Sequence, residues 1–283
     1  MSSSAEGYEL IPFQVEGRRL TAARWGASGR PLAILLPGAG ADHLSLSLQA
    51  RHLAGRGYTA WVLNARGVGG SDPAPPASSV PDLAQDALAL LGHLEDGPAV
   101  LVGQSLGSAV AQEMALGQPG RFKHLVLLAT WARTDPYLAL QFRLSQGIVA
   151  SGDPELYGPA LLYLIASRPF LNDDQNRRGL LRGMFTGRRA LPAAELGHQL
   201  TIGQHHDTVS RLRALRLPTL VLSGEHDLMI PAVYGEEVAA LIPGAEHHLL
   251  RGPRSSHLFH WEMAKEVAHR LDRFLGPSLS HPA

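Results

Sequence analysis

An apolar run leads directly into a Gly-x-Ser-x-Gly motif in the stretch Ala99-Val100-Leu101-Val102-Gly103-Gln104-Ser105-Leu106-Gly107. The residues that follow, 108–116, are typical of a helix. A strand, this motif and a helix in that order predict a turn tight enough to project the Ser105 hydroxyl, with glycines where larger side chains would clash. The alternative is an ordinary Gly-Ser turn between a strand and a helix, because the motif is short and common. The rest of the chain has to distinguish the two.

Other short apolar runs lie on both sides of this stretch, and each is followed by turn residues and then by a longer helical pattern. The runs are Leu32–Leu36, Thr59–Leu63, His124–Ala129, Thr219–Leu222 and Glu246–Leu250. Runs without a polar face are typical of parallel strands covered by helices on both sides. Tyr8–Val15 and Arg18–Trp25 are predicted to form an antiparallel pair at the sheet edge. The predicted helices are Leu44–Ala54, Val80–Leu94, Ser105–Leu116, Ala232–Leu241 and His257–Leu275. This alternation predicts an α/β fold with a mostly parallel, twisted sheet.

One interval between strands is much longer than a simple crossover requires. The run that ends at Ala129 and the run that starts at Thr219 are separated by a segment with several helical patterns and six Tyr and Phe residues. Long insertions at the carboxyl edge of such sheets commonly cover a pocket. We therefore predict a core in two parts, residues 1–130 and 207–283, and an inserted helical cap over residues 131–206. The alternative is a second lobe without a role in binding.

Composition excludes several classes of function. The 283-residue chain is 45% hydrophobic and 18% charged, so it can bury a sizeable core. Its 25 basic and 25 acidic residues cancel, which argues against a nucleic-acid partner. The absence of cysteine excludes disulfides and thiolate nucleophiles. The first residues do not resemble a signal peptide, and no apolar run approaches the roughly 20 residues that span a bilayer. We expect a cytoplasmic protein that does not engage a membrane.

A serine nucleophile needs a base to take its proton and a carboxylate to orient that base, and in this architecture they follow in the order Ser, acid, His. His257 is the predicted base, because it follows the last predicted strand at the same sheet edge as Ser105. The nearest alternative is His260, which is predicted to fall one turn into the next helix. Asp227 follows the strand Thr219–Leu222. It is the predicted acid, with Glu225 in the same loop and Asp135 after the preceding strand as alternatives.

The loop after the first parallel strand is predicted to supply an oxyanion hole. Leu36-Pro37-Gly38-Ala39-Gly40-Ala41 follows that strand, and its glycines allow the backbone to approach a substrate closely. The N–H groups of Ala39 and Leu106 are the predicted donors to a developing oxyanion. Neither a dinucleotide-binding nor a phosphate-loop glycine motif is present, and we predict no cofactor.

A metal site is not expected. His205-His206-Asp207 brings three potential ligands together, but a spaced ligand set is missing. We interpret these residues as surface histidines at the hinge of the cap.

At this point the chain resembles the α/β-hydrolase superfamily over essentially its whole length, and within it the esterase, lactonase and enol-lactonase-like group. The stretches that carry the resemblance are Leu35-Leu36-Pro37-Gly38, residues 64–71, the Ser105 motif, residues 218–227, and His257 with Glu262. The resemblance implies the fold and a Ser105-Asp227-His257 triad, but no particular substrate. Dehalogenases and epoxide hydrolases of this fold carry Asp at the nucleophile position, so Ser105 argues against those reactions.

Four positions depart from the pattern of the family. The family usually has His where Pro37 stands, and often Asp at Asn64, Gly at Ser108 and Gly at Ser256. None of these changes removes a group that transfers a proton.

These observations predict a cofactor-independent serine hydrolase that cleaves an ester, lactone or thioester of a small to medium organic molecule through an acyl-enzyme. Gly38, Gln104, Trp131 and Tyr137 are the predicted substrate-binding residues, and the protein is expected to be a monomer or a homodimer. One alternative uses the same triad for C–C bond cleavage, cyclisation or cofactor-free oxygenation. A second is a ligand-binding receptor on a hydrolase scaffold.

Overall fold

The computed structural model describes residues 7–75, 78–94, 97–186 and 190–279, and contains one eight-stranded sheet. The strands are β1 Glu9–Val15, β2 Arg18–Trp25, β3 Leu32–Leu36, β4 Thr59–Leu63, β5 Ala99–Gln104, β6 Phe122–Leu128, β7 Thr219–Gly224 and β8 Glu246–Leu250. Their spatial order is β1-β2-β4-β3-β5-β6-β7-β8. The β1–β2 and β2–β4 pairs are antiparallel, and every pair from β4 to β8 is parallel. The predicted fold class and the antiparallel edge pair are confirmed.

Helices cover both faces of this sheet. They are α1 Ser47–Gly55, α2 Val80–Leu91, α3 Leu106–Gly117, α4 Pro136–Val149, α5 Pro154–Ile165, α6 Arg168–Asn172, α7 Asp174–Leu181, α8 Ala193–Ile202, α9 Val209–Leu212, α10 Ala232–Leu241, α11 Phe259–Glu262 and α12 Ala264–Leu275. A π-helical turn, Arg182–Thr186, continues α7. The helix predicted from His257 to Leu275 is therefore two helices, and His257 lies in the loop before the first.

The inner parallel strands β3 and β5 are buried on both faces because each face packs into a separate core. On β5, Leu101 belongs to the core formed with α2 and α3, whereas Val100 and Val102 belong to the core formed with α1 and α12. On β3, Ile34 and Leu35 divide in the same way. Successive side chains of a strand point to opposite faces of the sheet, so neighbouring residues pack into different cores. Both sets of positions are therefore apolar.

Helices α4 to α8 lie between β6 and β7 in the chain, within the segment predicted as a cap; residues 187–189 of that segment lie outside the described residues. The two ends of the segment are held together, because Arg133 and Asp207 form an antiparallel bridge. Over the described parts of the chain, none of the helices combines the length and the apolar character that crossing a membrane requires.

Candidate active site

Ser105 occupies a strained turn between β5 and α3. Its backbone has φ 52° and ψ −123°, a region that non-glycine residues rarely adopt. Its N–H donates to the Leu128 carbonyl at 2.9 Å, which ties the turn to β6. A Cβ on Gly103 would lie 2.6 Å from Ser108 Cα, and one on Gly107 would lie 2.5 Å from the Pro37 carbonyl oxygen. Both flanking glycines are therefore required by close backbone packing.

His257 and Asp227 are brought together at the same edge of the sheet. His257 Nδ1 lies 2.8 Å from Asp227 Oδ2 and 3.0 Å from Oδ1, and both residues are buried. Asp227 Oδ1 also accepts the N–H groups of Met229 at 2.8 Å and Ile230 at 2.9 Å. These bonds fix the carboxylate, so that it can hold the imidazole in the tautomer with a proton on Nδ1.

The alternative acids are engaged elsewhere. Glu225 accepts from Arg251 at 3.0 Å and from the Gly252 N–H at 3.1 Å, and the Gly252 amide, followed by Arg251, holds the pKa of its carboxyl below the usual range. Asp135 caps α4 through the Leu138 N–H at 2.9 Å and accepts the Tyr234 hydroxyl at 2.9 Å. Neither carboxylate contacts His257.

His260, the alternative base, lies in α11 and its side chain is buried. Burial, followed by the nearby charge of His257, lowers the pKa of His260 to about 3. His260 is therefore a neutral, buried imidazole over the range in which most enzymes work.

The loop predicted to form the oxyanion hole packs directly on the nucleophile turn. A Cβ on Gly38 would lie 3.1 Å from Ser105 Cβ and 2.5 Å from Gln104 Oε1, so glycine allows this close approach. Ala39 follows Gly38 in the loop. Leu106 is the first residue of α3, and its N–H has no helical carbonyl one turn earlier to accept it. One predicted donor thus follows Ser105 directly, and the other follows Gly38, which packs on the Ser105 side chain.

Gln104 contacts the histidine on the nitrogen that faces away from Asp227. Its Nε2 lies 3.3 Å from His257 Nε2. Within the described residues, no hydrogen bond joins the Ser105 hydroxyl to His257. The resting imidazole is thus bonded to Asp227 on one side and to the Gln104 amide on the other.

A cavity of about 1060 Å³ contains this constellation. Gly38, Gln104, Ser105 and His257 line it together with side chains from α5, α7 and α8. Two predicted substrate-binding residues, Gly38 and Gln104, therefore face the cavity that holds Ser105. Helices α5 to α8 of the 131–206 segment thus form part of its lining.

Trp131 and Tyr137 were predicted to contact substrate, but neither is among the described residues that line this cavity. That prediction is corrected. Trp131 is only 1% exposed, packs on Phe142 and His206, and donates its indole N–H to Thr134 at 2.9 Å. Tyr137 is 58% exposed on the outer face of α4. The Trp131 ring packs in the core, and the Tyr137 ring is exposed to solvent.

The interpretation of His206 as a surface residue is wrong. His206 is 4% exposed, and its Nε2 lies 3.4 Å from Gln112 Oε1, which also accepts the Thr208 hydroxyl at 2.6 Å. Burial lowers the pKa of His206 to about 4. Across the described residues, no group of three or more His, Asp or Glu side chains is arranged to hold a metal ion.

Three of the positions that depart from the family pattern form local hydrogen bonds. The Ser108 hydroxyl donates to the Ser105 carbonyl at 2.6 Å, beneath the nucleophile. Asn64 Oδ1 accepts the His43 N–H at 2.7 Å. The Ser256 hydroxyl, next to His257, donates to Glu262 at 2.7 Å. The polar side chains therefore support the same loops that the family builds with other residues.

Glu262 has a contact that the sequence did not reveal. It accepts the Ser167 N–H at 2.9 Å and the Ser167 hydroxyl, and the Leu258 N–H donates to the Ile165 carbonyl at 3.1 Å. The loop that carries His257 is thereby bonded to the junction of α5 and α6. No spacing in the sequence links Ser167 to Glu262.

Comparison with known proteins agrees with the fold. The model of a family described as the alpha/beta hydrolase fold matches residues 31–263, and the chain belongs to that family. The acetyltransferase component (dihydrolipoyllysine-residue) of an acetoin cleaving system from Pseudomonas putida is 28% identical over 97% of this chain and 71% of its own length. The resemblance inferred from the motifs is confirmed.

Solved structures share the whole architecture. A hydrolase from Pseudomonas aeruginosa is 27% identical with a TM-score of 0.82, covering 96% of this chain and 100% of its own. The enol-lactonase from Burkholderia xenovorans is 22% identical with a TM-score of 0.79, covering 94% of this chain and 99% of its own. At 22% identity, the similarity to the enol-lactonase shows a shared fold alone.

Proposed function

We propose that the chain is a serine hydrolase that cleaves an ester, lactone or thioester through an acyl-enzyme. The observation that carries the proposal is the buried His257–Asp227 pair, which opens onto the same cavity as Ser105 in its strained turn. Family membership and hydrolases among the similar structures support hydrolysis in general. The proposal of an ester, lactone or thioester as substrate rests on the chemistry of Ser105, His257 and Asp227.

In the first step, Ser105 Oγ attacks the substrate carbonyl and its proton passes to His257 Nε2. Asp227 stabilises the imidazolium through Nδ1, and the Ala39 and Leu106 amides stabilise the oxyanion. The bond to the leaving group then breaks, and His257 returns the proton to the departing oxygen or sulfur. In the second step, His257 takes a proton from water, hydroxide attacks the acyl carbon, and the proton restores Ser105. The products are a carboxylic acid and an alcohol or thiol, or a single hydroxy acid when the substrate is a lactone.

The 131–206 segment is proposed to act as the cap of this site. Helices α5, α7 and α8 supply cavity-lining residues, and Glu262 bonds the cap to the loop that carries His257. A small organic molecule is the proposed substrate, without a cofactor, a metal ion or a nucleic-acid partner.

A test combines turnover with chemical labelling. Ser105→Ala is expected to lower kcat on p-nitrophenyl esters by about 10⁴- to 10⁶-fold. A fluorophosphonate should add its mass to the peptide that contains Ser105, and this addition should be lost in Ser105→Ala. Ser210→Ala, at an exposed serine of α9, is the control and should match the unmodified protein. If Ser105→Ala still hydrolysed esters, the proposed acyl-enzyme mechanism would be wrong.

A second function is favoured by one observation, the contact of His257 Nε2 with Gln104 rather than with Ser105. In that case His257 and Asp227 act directly on the substrate as a base, in C–C bond cleavage, cyclisation or cofactor-free oxygenation, and Ser105 only positions it. The absence of both fluorophosphonate labelling and ester turnover in the folded protein would favour this reaction class.

A further inference from the structure

The cap side of the cavity is mostly apolar, although Gln175 and Asn176 of α7 also line it. Phe170 and Phe185 lie beside six aliphatic side chains from α5, α7, the π turn and α8, namely Leu161, Ile165, Leu180, Met184, Leu196 and Leu200. Met229 and Leu258, from the loops that carry Asp227 and His257, continue the same surface on the core side. Burying an apolar group against such a wall is favourable by about 0.8 kcal/mol for each CH₂.

The cavity is too large for a short ester. Its volume of about 1060 Å³ lies at the upper end of the range for small-molecule sites. An acetyl ester or a simple lactone would leave most of it unfilled.

The cavity is tightly packed near the nucleophile and exposed along α7 and the π turn. Near Ser105, a Cβ on Gly38 would lie 2.5 Å from Gln104 Oε1, and a Cβ on Gly40 would lie 2.5 Å from Leu196 Cδ1. Gly179 and Gly183 also line the cavity, four residues apart; both are exposed, and a Cβ on either would meet no atom within 4 Å. The cavity is therefore narrow at the reacting carbonyl and opens toward solvent along α7 and the π turn.

We propose that the substrate is an ester with an extended aliphatic chain, and that this chain lies along the wall formed by α7 and the π turn. The narrow part holds the carbonyl against Ser105, and the chain supplies most of the binding energy. The proposal rests on the proposed serine hydrolase and names the substrate class of the same site.

The first test is a chain-length series. The values of kcat/KM for p-nitrophenyl acetate, butyrate and octanoate are compared, together with those of ethyl, butyl and octyl acetate. Each CH₂ buried in the cavity is worth about fourfold, so at least one series should rise by about 100-fold or more from its shortest to its longest member. If both series are flat or fall with length, the chain proposal is wrong even though the hydrolase stands. If no ester of any length is hydrolysed, the proposed function itself fails.

The second test narrows the open side of the cavity. Gly183→Leu should lower the ratio of kcat/KM for octanoate over acetate by about tenfold or more, because its side chain takes the space of several methylene groups. Gly179→Leu, four residues earlier on the same wall, tests the same space if the first variant folds poorly. Gly147→Leu is the matched control: it is a helical, exposed cap glycine with no atom within 4 Å of its Cβ, and it does not line the cavity. An unchanged ratio in both wall variants, with their melting temperatures preserved, would overturn the assignment of the chain to this wall.

Discussion

Nε2 of Gln104 lies 3.3 Å from Nε2 of His257, the nitrogen that has to accept the Ser105 proton in the proposed mechanism. Because Nδ1 faces the Asp227 carboxylate, it carries the proton, and Nε2 presents a lone pair. The Gln104 amide N–H donates to that lone pair. In the resting site the amide therefore competes with the Ser105 hydroxyl for the same acceptor.

Gln104→Leu is expected to make Ser105 more reactive. A hydrogen bond of this kind has a net value of about 0.5–1.5 kcal/mol, so removing it should raise the rate constant for fluorophosphonate labelling by roughly 3- to 10-fold. The measurement is the time course of the mass addition at a fixed reagent concentration. Gln118→Leu, at an exposed position after α3, is the control. A slower reaction of Gln104→Leu would mean that the amide assists the imidazolium instead.

Asp227→Asn should remove most of the catalytic power while it preserves the fold. Asn keeps an oxygen for the Met229 and Ile230 amides, but it can no longer stabilise the imidazolium, and kcat is expected to fall by about 10⁴-fold. Steady-state kinetics on an ester substrate would show the loss.

Two carboxylates serve as matched controls for that variant. Glu225→Gln and Asp135→Asn alter groups that bond to Arg251 and to Tyr234 rather than to His257, and each should retain activity within about threefold. A loss of 10³-fold or more in either, with Asp227→Asn still active, would assign the acid to that residue instead.

Gly107→Ala should destabilise the protein through a backbone clash. A Cβ there would lie 2.5 Å from the Pro37 carbonyl oxygen and would push the loop that carries Ala39 away from Ser105. Overpacking against rigid backbone costs about 1–3 kcal/mol of the free energy of unfolding. Gly117→Ala, at the other end of α3, adds a methyl group with no atom within 4 Å and should be neutral or stabilising by up to about 1 kcal/mol. Urea unfolding of the two variants checks the contrast.

The core of the fold and the placement of the three candidate catalytic residues were predictable because local rules determine them. The apolar run before Gly103 forms β5 since both of its faces are buried. Glycines are needed because Gly103 packs against the backbone of Ser108 and Gly107 packs against the end of β3. Asp227 and His257 follow parallel strands, and the carboxyl ends of such strands share one edge. Sequence order alone could therefore bring these residues together with Ser105.

The lining of the cavity was not predictable, because it depends on which face each cap helix buries. In α4 the buried positions are Leu138, Phe142, Ser145 and Val149, and this stripe turns Tyr137 outward. Trp131 is aromatic and lies near the cap, but it packs under α4 on Phe142. The contact between Ser167 and Glu262 joins residues distant in the sequence, and no periodicity encodes such a pair.

Two buried histidines should make stability depend on pH. Burial lowers the pKa of His206 to about 4, with Glu113 opposing and Arg211 reinforcing the shift, and it lowers the pKa of His260 to about 3. In the unfolded chain both return to about 6.5. Below pH 6.5 the unfolded chain binds protons that the folded protein does not, so the free energy of unfolding is largest above that pH and falls as the pH drops toward 4. At pH 5 the loss is roughly 2 kcal/mol for each histidine.

His206→Gln isolates this effect, because it removes a titrating group far from the proposed chemistry. The quantity to compare is the difference between the free energies of unfolding at pH 7 and pH 5, measured with urea, which cancels any constant cost of the substitution. That difference should shrink by roughly 2 kcal/mol in His206→Gln. It should stay as in the unmodified protein in His226→Gln, since the His226 side chain is 59% exposed. An equal difference in all three proteins would mean that His206 takes up a proton in the folded state as readily as in the unfolded chain.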